Sequence, residues 1–186
     1  MRWQPTRRPI VVSVLPMTVF RMKILQMMME RVLQRIKPLG WHLVIDVNAE
    51  DIITFQDFFL KLDMDIIVDH MGRAPTNTGV HQPAFQVLRQ FIERDNLWAK
   101  ICGSERISAA GPPFHDAVPY AQELVEIVPD RILWGTGGPH PNIKKHMSND
   151  GDLLDLVPLL AHDKALQKKI LVDNPARLYG FDGASK

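Results

Sequence analysis

An α/β fold with a parallel sheet is the architecture this sequence predicts, and two features predict it. Runs of strand length alternate with segments of helical periodicity along the chain, and small clusters of polar residues recur where the strands stop. A parallel strand is reached by a crossover that normally contains a helix, so this alternation implies a parallel sheet covered by helices. Right-handed crossovers leave two arrangements, a (β/α) barrel or an open doubly wound sheet.

The β-branched run at residues 10–15 reads as a strand. Residues 18–37 read as a helix whose Leu25, Met28, Val32 and Ile36 mark one buried face. The triplet Met27-Met28-Met29 reads as adaptable core packing. From Gly40 the pattern becomes regular, with strands at 42–47, 65–69, 97–102 and 131–134 and helices at 50–62, 83–94 and 118–128. Two further helices are expected at 153–160 and 164–172.

With 46% apolar and 23% charged residues in 186, the chain has the make-up of a soluble globular domain with one core. Lys and Arg number 22 against 21 Asp and Glu, a net charge of +1. No global field then draws nucleic acid or an anionic membrane, so neither is an expected partner and any anion binding must be local. The single cysteine, Cys102, excludes an intramolecular disulfide and fits a reducing compartment, for which the cytoplasm is the default. No apolar run approaches the roughly 20 residues of a membrane helix. Arg7-Arg8 and the apolar residues after it resemble an export signal superficially, but the run is short, Pro16 breaks it and no small-residue cleavage site follows.

The chemistry-bearing residues sit after the strands, in Asp69-His70-Met71-Gly72-Arg73, Ser104-Glu105-Arg106 and His140-Pro141-Asn142. In parallel α/β architectures the loops at C-terminal strand ends converge on one mouth, so these segments are expected to share a pocket. There an imidazole can polarise a carbonyl and guanidinium groups can grip carboxylates in bidentate fashion. Taken singly, His70 would cap a loop, and Arg73 or Arg106 would pair with Asp69, Asp116 or Glu105 as structural ions. The loops 74–81 and 107–115 follow two of these segments and are rims, lids or plain connections.

Gly135-Thr136-Gly137-Gly138 is not read as a phosphate loop, because Pro139 and Pro141 follow and no helix pattern begins there. His140 and His146 stand six apart, which is no familiar zinc spacing, and Cys102 reads as packed core. No metal site, no cofactor and no Ser-His-Asp constellation are expected.

Several segments together resemble the amidohydrolase-related family of the amidohydrolase superfamily, closest to its 2-pyrone-4,6-dicarboxylate lactonase-like hydrolases. They are Val68-Asp69-His70-Met71-Gly72-Arg73, Gly103-Ser104-Glu105-Arg106-Ile107-Ser108, Asp130-Arg131-Ile132-Leu133-Trp134-Gly135-Thr136, Pro139-His140-Pro141-Asn142, Asp150-Gly151, Leu171-Val172-Asp173-Asn174-Pro175 and Leu178-Tyr179-Gly180-Phe181. The resemblance implies a (β/α)8 TIM barrel, with residues 40–186 its C-terminal part and 1–39 a divergent N-terminal segment of one strand and one helix. It also implies hydrolysis of a small dicarboxylate lactone in aromatic degradation, without a metal. Carried over by position, His70 would polarise the carbonyl, Arg73 and Arg106 would bind carboxylate, and His140 and Asn142 would line the pocket, with His140 counted among the catalytic groups.

Three departures from the family pattern stand out. Gly137 and Gly138 replace an Asp-Trp pair, and the lost aspartate is the family's general base, a group typically worth about 10²–10⁴ in rate. Asp46 stands where similar proteins tend to carry tyrosine, and an anion there would repel a dicarboxylate. The first-strand His-x-His has no counterpart, and 186 residues fall short of the roughly 250 of such barrels. An N-terminally truncated partial barrel with impaired activity is therefore expected, whose open edges invite association into a homo-oligomer. A non-catalytic truncated homologue, or a superfamily decarboxylase or hydratase, stays open beside the lactonase.

Overall fold

In the computed structural model the backbone is described for residues 9–13, 19–140, 143 and 147–181, and side chains for the same residues from 27 onward. Five strands, β1 (Pro9–Ser13), β2 (His42–Asp46), β3 (Ile66–Val68), β4 (Leu97–Lys100) and β5 (Ile132–Leu133), form one sheet, all parallel and in sequence order. Each crossover therefore steps to the next neighbour in the same direction. That is the winding of a barrel, whereas a doubly wound sheet reverses direction at a switch point. The register sets Ser13 beside Asp46, Val68 beside Ile45, Ala99 beside Val68 and Leu133 beside Lys100.

The connections are α1 (Val19–Ile36), α2 (Ala49–Phe59), α3 (Pro83–Ile92), the short α4 (Ser104–Ile107) and α5 (Val118–Ile127). After β5 come α6 (Asp150–Asp155), α7 (Val157–Leu160), α8 (Lys164–Lys168), a π-helical turn (Lys169–Asp173) and α9 (Asn174–Tyr179). Local chemistry starts these helices. The Asp51 carboxylate accepts from the Asn48 backbone N–H at 3.2 Å ahead of α2, Pro83 opens α3, and the Asn149 and Asp163 side chains cap α6 and α8.

Strand alternation divides the core. Leu43, Ile45, Ile66, Val68, Leu97, Ala99 and Ile132 face the helices and pack with Phe55, Phe59, Phe85, Leu88 and Tyr120. Phe85 and Tyr120 meet edge to face at 4.7 Å, each burying enough surface to contribute about 1.5–3 kcal/mol. The alternate residues Val44, Ile67, Trp98 and Leu133 form a second buried layer on the inner face, closed by Leu178 with Tyr179 packed beside it. Burial on both faces explains why the strands read as continuous apolar runs. The same parity puts Asp46, Asp69 and Lys100 on the inner side, one step beyond that layer.

Two expectations for α1 need correction. Ile36 is buried as expected, but Met28 and Val32 are 61% and 44% exposed, and their neighbours Met29 and Leu33 are buried in their place. Of the methionine triplet only Met29 packs into the core, while Met27 and Met28 face solvent. The side chain of Leu25 lies outside the described residues. No helix among the described residues is long and apolar enough to cross a membrane.

Candidate active site

The chain leaves β3 through Asp69, still extended, and then turns left-handed over four residues, with φ of 51° at His70, 50° at Met71, 64° at Gly72 and 49° at Arg73. Left-handed backbone costs a non-glycine residue about 1–2 kcal/mol. Residues so placed cluster at functional sites, where surrounding packing holds them. Here Met71 is fully buried in the core, and the turn thrusts the His70 and Arg73 side chains toward the inner mouth of the sheet.

His70 is buried against β4. Its Nδ1 lies 3.2 Å from Cys102 Sγ and its Nε2 3.7 Å from Asp69 Oδ2. Gly103 permits this approach: at φ 76° it tolerates left-handed backbone, and a Cβ there would lie 2.8 Å from Nδ1 and 3.0 Å from the His70 Cβ. Burial lowers the His70 pKa, the Arg106 and Arg73 charges push the same way, and Asp69 and Asp46 oppose them. The imidazole is therefore neutral near neutral pH. Burial together with the Asp69 charge pushes the Cys102 thiol up to about 12, against Lys100 and a hydrogen bond that lower it, so it is a protonated packing group as expected.

Arg73 Nη2 meets Asp46 Oδ2 at 2.6 Å, so the anion expected to repel substrate neutralises a cation expected to bind it. Lys100 Nζ stands 3.3 Å from Asp69 Oδ1, and burial, which depresses its pKa, is outweighed by the Asp69 charge and lesser effects that raise it. Arg106, at the end of α4, has Nε 3.8 Å from Glu105 Oε1. The Glu105 side chain is only 1% exposed, and neither of its oxygens has a hydrogen-bond partner.

Beyond β5, His140 is buried with φ 55°, its Nε2 2.9 Å from Asp150 Oδ1 and its Nδ1 3.7 Å from Glu105 Oε1. A Cβ at Gly137 would stand 3.4 Å from Glu105 Oε1 and 4.0 Å from His70 Cε1. Position 137 thus faces the centre of the cluster with no side chain of its own. His70, Arg73, Arg106 and His140 are accordingly gathered at the ends of β3, β4 and β5, whereas Asn142 lies outside the described residues.

The loops 74–81 and 107–115 are tied together by Asp116, which accepts from Thr76 Oγ1 and Ser108 Oγ at 2.5 Å each and from the backbone N–H groups of Ala109 and Ala110. Partial burial raises its carboxyl, but these donors overcome that and bring its pKa down to about 2. Asp116 is therefore a loop clasp, not an ion partner for Arg73 or Arg106. Sequence reasoning missed this clasp, the His140–Asp150 pair and the Gly103 approach, all of which join residues that no short motif relates.

One group among the described residues brings three metal-ligand atoms within 4.8 Å of one another: Asp69, His70 and Cys102. These residues do not suit a divalent ion. The Lys100 ammonium already sits on Asp69, two guanidinium charges act on His70, and the thiol is held protonated where zinc takes a thiolate.

The model of the amidohydrolase family matches residues 15–181, nine-tenths of the chain. The chain belongs to the amidohydrolase family. The match begins well ahead of residue 40, where the motif likeness starts. Among curated members the chain is 46% identical over 154 residues to a 2-pyrone-4,6-dicarboxylate hydrolase of Comamonas testosteroni, covering 78% of this chain and 50% of that protein. It is 44% identical over 146 residues to a 4-sulfomuconolactone hydrolase of Rhizobium radiobacter, with 77% and 49% covered. The chain thus spans about half the length of these relatives. A solved structure from Pseudomonas putida, assigned as a 2-pyrone-4,6-dicarboxylic acid hydrolase, superposes with a TM-score of 0.70 at 26% identity, over 81% of this chain and 55% of that one. The parallel sheet and its helices are therefore part of an amidohydrolase barrel fold, as the sequence motifs implied.

Proposed function

We propose that this amidohydrolase site hydrolyses the ring ester of a small lactone bearing carboxylate groups, of the 2-pyrone-4,6-dicarboxylate kind. The observation that carries the reading is the convergence, at the strand ends, of a neutral buried imidazole, a guanidinium and a buried carboxylate without a hydrogen bond around the bare Gly137. The relatives named as lactone hydrolases at 46% and 44% identity support it.

In this reading His70 carries its hydrogen on Nε2, with Nδ1 3.2 Å from Cys102 Sγ. That N–H polarises the lactone carbonyl and stabilises the oxyanion of the tetrahedral intermediate, a role worth about 2.7–4 kcal/mol for one well-placed donor. Arg106 anchors a substrate carboxylate, with Arg73 a second anchor weakened by Asp46. His140 and Asn142 line the pocket. With Gly137 in place of a carboxylate and one arginine already paired, turnover is slow. No metal and no cofactor take part.

The cytoplasm and a homo-oligomer belong to the same reading, the first supported by a lone buried thiol. The test is incubation of the purified chain with 2-pyrone-4,6-dicarboxylate and 4-sulfomuconolactone, each followed by ring absorbance with and without chelator. Chelator-insensitive loss of either ring supports the reading. Loss that chelator abolishes contradicts the metal-free site.

A further inference from the structure

We infer that Glu105 is the general base of this site and that His140 and Asp150 carry its proton to solvent, an assignment that rests on the lactone-hydrolase reading above. Three observations point there. First, the Glu105 side chain is 1% exposed and neither oxygen accepts a hydrogen bond, although leaving a buried carboxylate unsatisfied is costly. A group kept in that condition has acceptor capacity free for the reaction itself. Second, its Oε1 faces Arg106 Nε at 3.8 Å and His140 Nδ1 at 3.7 Å, and neither of those nitrogens has a hydrogen-bond partner. Third, a Cβ at Gly137 would come only to 3.4 Å from Oε1 and to 4.0 Å from the His70 ring, so the carboxylate and the imidazole flank the same bare position. Both Glu105 oxygens are closed to bulk solvent, so the reacting water is one admitted beside Gly137 together with a carbonyl held by His70.

The route outward is equally direct. His140 joins the buried carboxylate on its Nδ1 side to Asp150 on its Nε2 side, 2.9 Å away, and the Asp150 side chain is 62% exposed. Among the described residues, the charged and titratable groups facing this line are Arg106 from α4, His70 from the turn after β3 and Asp150 from α6.

In the reaction, a lone pair of the water oxygen forms the new bond to the lactone carbonyl carbon as Glu105 takes one water proton, and the carbonyl π pair moves to oxygen beside His70. When the intermediate collapses, the ring C–O bond breaks with its electron pair on the ring oxygen, which takes the proton from Glu105. The new carboxylic acid then gives its remaining proton to Glu105, which passes it through His140 and Asp150 to solvent and returns to the carboxylate. Atoms and charge balance with water as the only co-reactant.

The experiment compares the whole chain with Glu105→Gln, Glu105→Asp and the double variant Glu105→Gln with Gly137→Asp on 2-pyrone-4,6-dicarboxylate, reading kcat, KM and the kcat–pH profile. The expected result for Glu105→Gln is a kcat lower by about 10²–10⁴ with KM within about threefold, and loss of the acid limb of the profile. Glu105→Asp retains that limb at a reduced kcat, and the double variant recovers part of the lost rate. Undiminished kcat in folded Glu105→Gln overturns the assignment. Should that variant fail to fold, Glu105→Asp decides: a reduced kcat with KM within about threefold supports the assignment, and an undiminished kcat overturns it. A wild-type chain without turnover overturns the function and this assignment together, whereas failure of the assignment alone leaves the wild type active.

Discussion

Asp46 Oδ2 sits 2.6 Å from Arg73 Nη2, joining the last residue of β2 to the turn after β3. This pair cancels one of the two arginine charges at the strand ends and lowers the pocket's attraction for a second carboxylate. Asp46→Asn is therefore expected to free Arg73 and lower KM for a dicarboxylate lactone about tenfold, worth about 1.4 kcal/mol, with kcat little changed. Steady-state kinetics at several salt concentrations check it, because the gain should shrink as salt rises.

Arg106 is the cation left to grip the substrate. Arg106→Lys keeps the charge and removes the planar fork, so KM should rise roughly tenfold or more while the chain stays folded. Isothermal titration with a non-hydrolysable dicarboxylate would show the same loss.

Gly103→Ala places a methyl 2.8 Å from His70 Nδ1 on a backbone at φ 76°. The imidazole must move, so kcat should fall about tenfold or more. Overpacking costs about 1–3 kcal/mol, and thermal unfolding should register it. A variant with normal kcat and normal Tm would show that His70 does not need this close approach.

The Asp116 clasp has a pH signature. Its folded pKa, about 2, lies below the ordinary 3.8, so the stabilisation is complete above 3.8 and is lost as pH falls toward 2. Limited proteolysis should cut loops 74–81 and 107–115 faster in Asp116→Ala at neutral pH, and faster in the wild type at the acid end.

Cys102, with its thiol near 12, should resist alkylation in the native chain at about pH 8 and react once the chain is unfolded. Fast native labelling would mean that His70 has a thiolate neighbour rather than a protonated thiol.

Strand positions were legible because β2 to β4 are buried on both faces, and runs such as Ile66-Ile67-Val68 admit few other readings. The barrel winding came from motif resemblance, since alternation alone left two arrangements open. Periodicity failed on α1 because Met28, Met29, Val32 and Leu33 place apolar residues on two adjacent stripes, and only contacts choose between them. At the site, the side chains after the strands were readable as a group, because strand ends of a parallel sheet converge. Their pairing was not: Asp46 with Arg73 spans 27 residues, and Glu105 on α4 meets His140 in the segment after β5. Parity along β4 could have placed Lys100 beside Asp69, but nothing short of coordinates distinguishes the clasping Asp116 from an ion partner.

The most direct test of the account is steady-state hydrolysis of 2-pyrone-4,6-dicarboxylate by the wild-type chain and His70→Gln, measured side by side by ring absorbance. The account predicts measurable wild-type turnover and a kcat lower by about 10²–10³ in His70→Gln. Equal rates in the two proteins, or no ring loss above the uncatalysed blank in either, would contradict it.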